Sequence, residues 1–160
     1  MNEETKQFVG TWELQAWSVV NVDSGQKRHA YGGNAVGHIM YTDDGWVSAT
    51  LMETGRKAVS DDRSAIQALK RSILEHPAGP LDSDQMDLMR QFYLACTGYI
   101  AYCGPFDVAD GEVHHRVREA LMPQMIDTTL TRKYQFVEDR LTLTATTRDI
   151  QDQLIWRRHD

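Results

Sequence analysis

The sequence predicts a mainly β chain, a single antiparallel up-and-down β-barrel of about eight strands with a two-helix insert. Three observations predict it. Short segments of polar–apolar alternation recur in both halves of the chain. Compact turn signals separate them: Asp43-Asp44-Gly45, Asp110-Gly111 and Glu138-Asp139. Helical spacing of apolar residues is confined to the middle, residues 61–95. Strand side chains alternate between faces, so such segments bury one side and wet the other, and closing the sheet removes its edges.

The length of 160 residues suits one domain, so residues 1–160 are expected to form a single barrel domain. Hydrophobic residues at 41% and charged ones at 25% are globular proportions. A net charge of −6 argues against nucleic acid, which needs a basic face, and gives an anionic membrane nothing to attract. No run is long enough to span a bilayer, and Met1-Asn2-Glu3-Glu4-Thr5-Lys6 lacks the shape of a signal peptide. The expectation is a cytoplasmic protein, monomer or homodimer, in which Cys96 and Cys103 stay free thiols.

The first strand opens at Gly10-Thr11-Trp12, with Trp12, Leu14, Ala16, Ser18 and Val20 on one face and Glu13, Gln15, Trp17 and Val19 on the other. A second runs from about Val36 to Thr42, and a third from Trp46 to Met52. A three-residue loop at Asp43-Asp44-Gly45 sends Ile39, Tyr41, Val47, Ala49 and Leu51 inward and leaves His38 and Met40 outside; a two-residue loop mixes the sets. Hydrophobicity favours the former. Asp61 or Asp62 then caps a helix bearing Ala65, Ile66, Leu69 and Ile73, stopped by His76-Pro77. A second helix starts near Asp82-Ser83 with Met86, Met89 and Tyr93 on one side. The insert either roofs the barrel mouth or packs on its outside. Further strands are expected over about Gly98–Val108, Glu112–Leu121, Thr128–Val137, Arg140–Thr146 and Gln153–Arg158.

Turn chemistry sets register, and register sets the face. The Glu138-Asp139 turn pairs Phe136 with Leu141, Tyr134 with Leu143 and Arg132 with Ala145, so Leu130, Arg132, Tyr134, Phe136 and Leu143 share the apolar side. At the next hairpin a longer Ala109-Asp110-Gly111 loop is open, but a two-residue Asp110-Gly111 turn gathers the apolar residues onto one face; it pairs Phe106 with His115, Gly104 with Val117, Tyr102 with Glu119 and Ile100 with Leu121. The Met122–Asp127 connection then brings Glu119 beside Leu130 or Arg132, and His115 beside Tyr134 or Phe136. The interior is expected to hold a polar set, Tyr102, His115, Glu119, Arg132 and Tyr134, within a lining of Tyr41, Ile100, Phe106, Val117, Leu121, Leu130, Phe136 and Leu143. Buried charge is costly unless paired. Either Glu119 and Arg132 satisfy each other, or the set orients a ligand's carbonyl or hydroxyl, or it performs acid–base chemistry.

The opening Gly10-Thr11-Trp12-Glu13-Leu14 resembles the Gly-x-Trp strand of lipocalins and other calycins. Five further segments resemble, in order, the bacterial and fungal lipocalin-like domain family: Val36 to Gly45, Gly98 to Gly104, Glu112 to Val117, Arg140 to Leu143, and Leu154 to Arg158. The resemblance covers most of the chain. It implies an up-and-down barrel with a central cavity, and packing of Trp12 against Arg157 or Arg158, an arginine–indole contact worth about 0.5–2 kcal/mol. Members of this family look like ligand binders, and some proteins with related barrels act as cofactor-independent cyclases or isomerases in natural-product pathways. The segment Asp61 to Glu75 is longer than the family's pattern.

No cofactor is expected. Adjacent strand residues His114 and His115 point to opposite faces and cannot share a metal ion, and neither a phosphate-binding glycine loop nor a Gly-x-Ser-x-Gly elbow occurs. The leading expectation is a carrier for a small hydrophobic or aromatic molecule held in the cavity. The alternative is a cofactor-independent cyclase, isomerase or dehydratase acting on a polyketide- or terpenoid-like substrate. It would use His115 or Glu119 as base and Tyr102, Tyr134 or Arg132 as oxyanion donors. A third reading is an interaction module working through the barrel's outer face.

Overall fold

A computed structural model describes residues 3–159. The chain divides into two compact units, one of residues 1–54 with 99–160, the other of Gly55–Gly98.

The first unit holds a short helix α1 (Glu3–Lys6) and ten strands. They are β1 (Gly10–Asn21), β2 (Lys27–His29), β3 (Ala35–Tyr41), β4 (Trp46–Glu53) and β5 (Tyr99–Ala109), then β6 (Glu112–Arg116), β7 (Glu119–Ala120), β8 (Thr129–Val137), β9 (Arg140–Thr147) and β10 (Ile150–Arg158). Eight of them close an antiparallel barrel in the order β1-β3-β4-β5-β6-β8-β9-β10, with β10 returning to β1. Strand β2 adds to β1, and β7 adds to β5. The core is the lumen, where Trp12, Leu14, Ile39, Val47, Leu51, Phe106, Leu141 and Trp156 pack together.

Two turns set the register that their residues predict. Phe136 faces Leu141 and Tyr134 faces Leu143 across β8–β9. Tyr41 pairs with Val47 and Ile39 with Ala49 across β3–β4, so the three-residue loop holds and His38 is exposed on the outside.

Two bulges depart from simple alternation, and each inverts a face, because a one-residue slip turns every following side chain over. In β1, Leu14 pairs with Trp156 but Ala16 pairs with Ile155, leaving Gln15 as the extra residue. From there Trp17, opposite core Leu154, points inward in place of Ala16. The expected strand Glu112–Leu121 breaks likewise. Phe106 faces His115, yet Tyr102 faces Ala120 and Cys103 faces Glu119. Gly104 makes the break possible. A Cβ there would fall 2.0 Å from the Arg116 carbonyl oxygen, and Arg118 N–H donates to the Cys103 carbonyl beside it at 2.9 Å.

The second unit is a pair of helices, α2 (Arg63–Glu75) and α3 (Ser83–Thr97). Asp62 caps α2 by accepting from Ser64 and Ala65 N–H at 2.9 and 3.1 Å. Asp82 and Gln85 form a reciprocal capping box on α3, satisfying donors that the first turn would leave orphaned. Leu69 and Leu88 are buried, while Met86, Met89 and Tyr93 are exposed. Among the described residues no helix is long and apolar enough to cross a membrane.

Candidate functional site

Three strands deliver the central polar group. Tyr41 closes β3, Tyr102 lies within β5 and His115 within β6, and the pairing register turns all three into the lumen. His115 is 1% exposed. Tyr41 Oη lies 2.9 Å from its Nε2, and Tyr102 Oη lies 2.9 Å from its Nδ1. Burial, then the nearby charges of Arg132 and His114, lower the imidazole's pKa to about 3, so the ring is neutral at neutral pH. A neutral ring has one N–H and one lone pair. One tyrosine therefore donates to the ring while the other accepts from it. The accepting phenol keeps an O–H proton that no other described residue takes up. Burial raises both phenols above their usual pKa, with the Arg132 charge opposing the rise; for Tyr41 the Tyr102 charge adds to it.

Arg132 sits on β8, opposite Val113 and diagonal to His115. It is half-buried, and its Nη1 donates to the Thr131 carbonyl at 2.9 Å. No described carboxylate comes within ion-pairing distance of it. Asp152, on the inward face of β10 opposite Ala145, accepts from the Trp17 indole N–H at 2.7 Å. Tyr134 faces inward from β8 and donates to the Glu4 carboxylate of α1. Burial, that hydrogen bond and the Glu4 charge push its pKa up to about 12.

Phe8 closes one end of the lumen. Fully buried, it stacks edge-on against Tyr41, Tyr134 and Phe136 at centroid distances of 5.2, 4.9 and 5.0 Å. Trp12 Nε1 donates to the Phe8 carbonyl at 2.8 Å. The Arg158 guanidinium lies 4.1 Å over the Trp12 ring and donates to the Gln7 and Val9 carbonyls at 2.7 Å each, so Arg158, not Arg157, is the arginine on this indole. Arg157 instead pairs outside with Glu13 at 3.3 Å.

The expected site is thus partly assembled and partly corrected. Tyr102, His115, Arg132 and Tyr134 face the lumen. Tyr41, Phe106, Val117 and Leu143 are buried in its wall, with Ile100, Leu130 and Phe136 packed against them. Glu119 is not there. The bulge beside Gly104 turns it outward, where its carboxylate accepts from the Cys103 thiol at 3.0 Å. Leu121 is turned out with it, and both line a shallow external groove with Ser48, Thr50 and Ala101. His115 faces Leu130 across β6–β8 rather than Tyr134 or Phe136.

Three features escaped the sequence reading. The Tyr41–His115 bond joins strands far apart in the chain. Phe8 is flagged only by being aromatic in a polar leader. The buried Trp156 indole N–H has no acceptor among the described residues. Among those residues no group of three or more His, Cys, Asp or Glu converges as a metal site.

A family model described as a lipocalin-like domain matches residues 9–159. No curated protein matches the chain. Among solved structures, fatty-acid-binding protein 1 of Echinococcus granulosus is similar at 10% identity, covering 97% of this chain and 99% of that one, with a TM-score of 0.42. Secretory abundant heat soluble protein 4 from Ramazzottius varieornatus is similar at 12% identity, with 96% and 95% covered and a TM-score of 0.42. The wild-type fluorescent protein UnaG is similar at 11% identity, with 97% and 99% covered and a TM-score of 0.39.

Proposed function

This chain belongs to the lipocalin-like domain family, and from that membership we propose that it binds a small hydrophobic or aromatic molecule within its barrel. One observation carries the reading. Leu130, Arg132, Tyr134 and Phe136 point inward from β8, opposite His115, Val113, Leu143 and Leu141, yet each remains partly open to solvent while those four partners are buried. A barrel filled by its own side chains seals its inner wall; here solvent reaches the inner face of β8 along its length. The accessible wall is apolar, with a few polar groups placed among aliphatic and aromatic surface, which is the composition of a ligand site.

Carriage is favoured over acid–base turnover by the state of His115. Both ring nitrogens are engaged and its pKa is held to about 3, so the imidazole is a weak base near neutral pH. Glu119, the other expected base, faces the outside.

The test is titration with an uncharged, environment-sensitive dye such as Nile red. Saturable one-to-one binding is expected, abolished by filling the lumen with Leu143→Trp. Absence of any saturable uptake overturns the reading. Native mass spectrometry of freshly purified protein should show a bound organic molecule whose mass disappears in the same variant.

A further inference from the structure

The barrel interior carries a cation that makes no ion pair among the described residues. The expected partner of Arg132 is Glu119, and the bulge opposite Gly104 has moved that carboxylate to the outer surface. Arg132 remains on the inward face of β8, diagonal to His115, with one backbone acceptor, the Thr131 carbonyl. A guanidinium has five N–H donors, so most of its hydrogen-bonding capacity goes unused within the protein. The inward carboxylate two strands away, Asp152, accepts from the Trp17 N–H and forms no ion pair with Arg132. Tyr134 spends its hydroxyl on Glu4.

The remaining polar groups lean the same way. Neutral His115 uses one of its two tyrosines as acceptor, which leaves that phenol with a proton to donate. The buried Trp156 N–H, deeper in the same interior, also lacks an acceptor. The groups left without an acceptor are therefore donors, and Arg132, diagonal to His115, is the charged one among them. A buried donor left unpaired is destabilising, so a guest that supplies acceptor oxygens gains most here, and an anionic oxygen gains most from a bidentate guanidinium.

We propose that the lumen's ligand is a hydrophobic or aromatic acid whose carboxylate pairs with Arg132, the free phenol proton of the Tyr41–His115–Tyr102 group donating alongside. The inference rests on the cavity reading above and adds the headgroup class. An amine bearing the same hydrocarbon meets Arg132 as a like charge and is disfavoured; an alcohol forms a single neutral hydrogen bond and falls between them.

Competition against bound Nile red tests it, using dodecanoate, dodecanol and dodecylamine, and in parallel 2-naphthoate and 2-naphthol. In at least one series the carboxylate should displace the dye roughly tenfold to a few hundredfold more effectively than the uncharged analogue. Arg132→Gln should remove that preference while still binding the dye, and Arg132→Lys should restore part of it as a point charge without the fork. Thermal melting of each variant confirms that it is folded. Equal displacement by acid and alcohol, or dye that neither carboxylate displaces, overturns the headgroup assignment and leaves the cavity reading standing. Failure of wild-type protein to bind the dye removes the cavity reading, and this inference with it.

Discussion

Tyr102 Oη and His115 Nδ1 stand 2.9 Å apart across the β5–β6 ladder, and with Tyr41 on the other ring nitrogen they fix the position of an imidazole that burial keeps neutral. This arrangement makes His115 a neutral strut inside an apolar barrel. Its consequences can be measured.

Acid should unfold the protein through this residue. In the folded state His115 takes up a proton only near pH 3, whereas in the unfolded chain it does so near its ordinary value of 6.5. The unfolded state thus binds more protons between those limits, so stability contributed by the neutral ring is complete above about pH 6.5 and is lost as the pH falls towards 3. The loss is on the order of a few kcal/mol. Melting temperature followed from pH 7 to 4 should drop more steeply for wild type than for His115→Gln; parallel slopes would rule the mechanism out.

Removing either phenol leaves an imidazole nitrogen buried without a partner. Tyr41→Phe and Tyr102→Phe should each cost roughly 1–3 kcal/mol in urea unfolding. In a double-mutant cycle with His115→Phe the costs should be far from additive, because the three rings form one unit.

Gly104 should not tolerate a side chain. A methyl there meets the Arg116 carbonyl oxygen, a backbone atom, at 2.0 Å, and Gly104→Ala should destabilise by about 1–3 kcal/mol or more. Comparable stability of Gly104→Ala and wild type would mean that the strands separate easily at the bulge.

Phe8 is the aromatic plug under Tyr41. Phe8→Ala should cost about 3–5 kcal/mol through lost burial and the cavity left behind. It should also speed hydrogen exchange of the Trp12 indole N–H, which bonds to the Phe8 carbonyl.

The Cys103 thiol is pushed above its usual pKa first by its hydrogen bond to Glu119, then by burial and the carboxylate's charge. Glu119→Ala, made in a Cys96→Ser background, should therefore lower that pKa and accelerate alkylation by iodoacetamide at pH 8. An unchanged rate would place Glu119 away from the thiol.

Much of the barrel was legible because its hairpins are short. The Glu138-Asp139 and Asp43-Asp44-Gly45 turns permit few registers, and the hydrophobic pattern selects among them, which placed Tyr41, Tyr134, Phe136 and Leu143 on the inner wall. The bulges were not legible from the same rule. Val117, Glu119 and Leu121 continue an unbroken alternation with His115, so the pattern itself conceals the slip. The clue lay on the partner strand, where a glycine inside an otherwise well-formed segment marks a close approach. In β1 the two faces are almost equally apolar after Leu14, and alternation cannot tell Ala16 from Trp17. The site suffered accordingly: the inward histidine, arginine and tyrosines were found, the acidic partner was assigned to the wrong side, and the Tyr41 bond, reaching between β3 and β6, left no local trace.

The ladder from Trp12–Arg158 to Asn21–Ile150 has a kinetic consequence. A ribosome delivers β1 before the other strands and β10 after them, so the seam cannot close until every strand has emerged. Until then β1 waits with an unpaired edge, a state in which chains pair with one another. Slow folding is the expected result of so distant a junction, and loss of β10 should yield aggregates rather than a smaller soluble barrel.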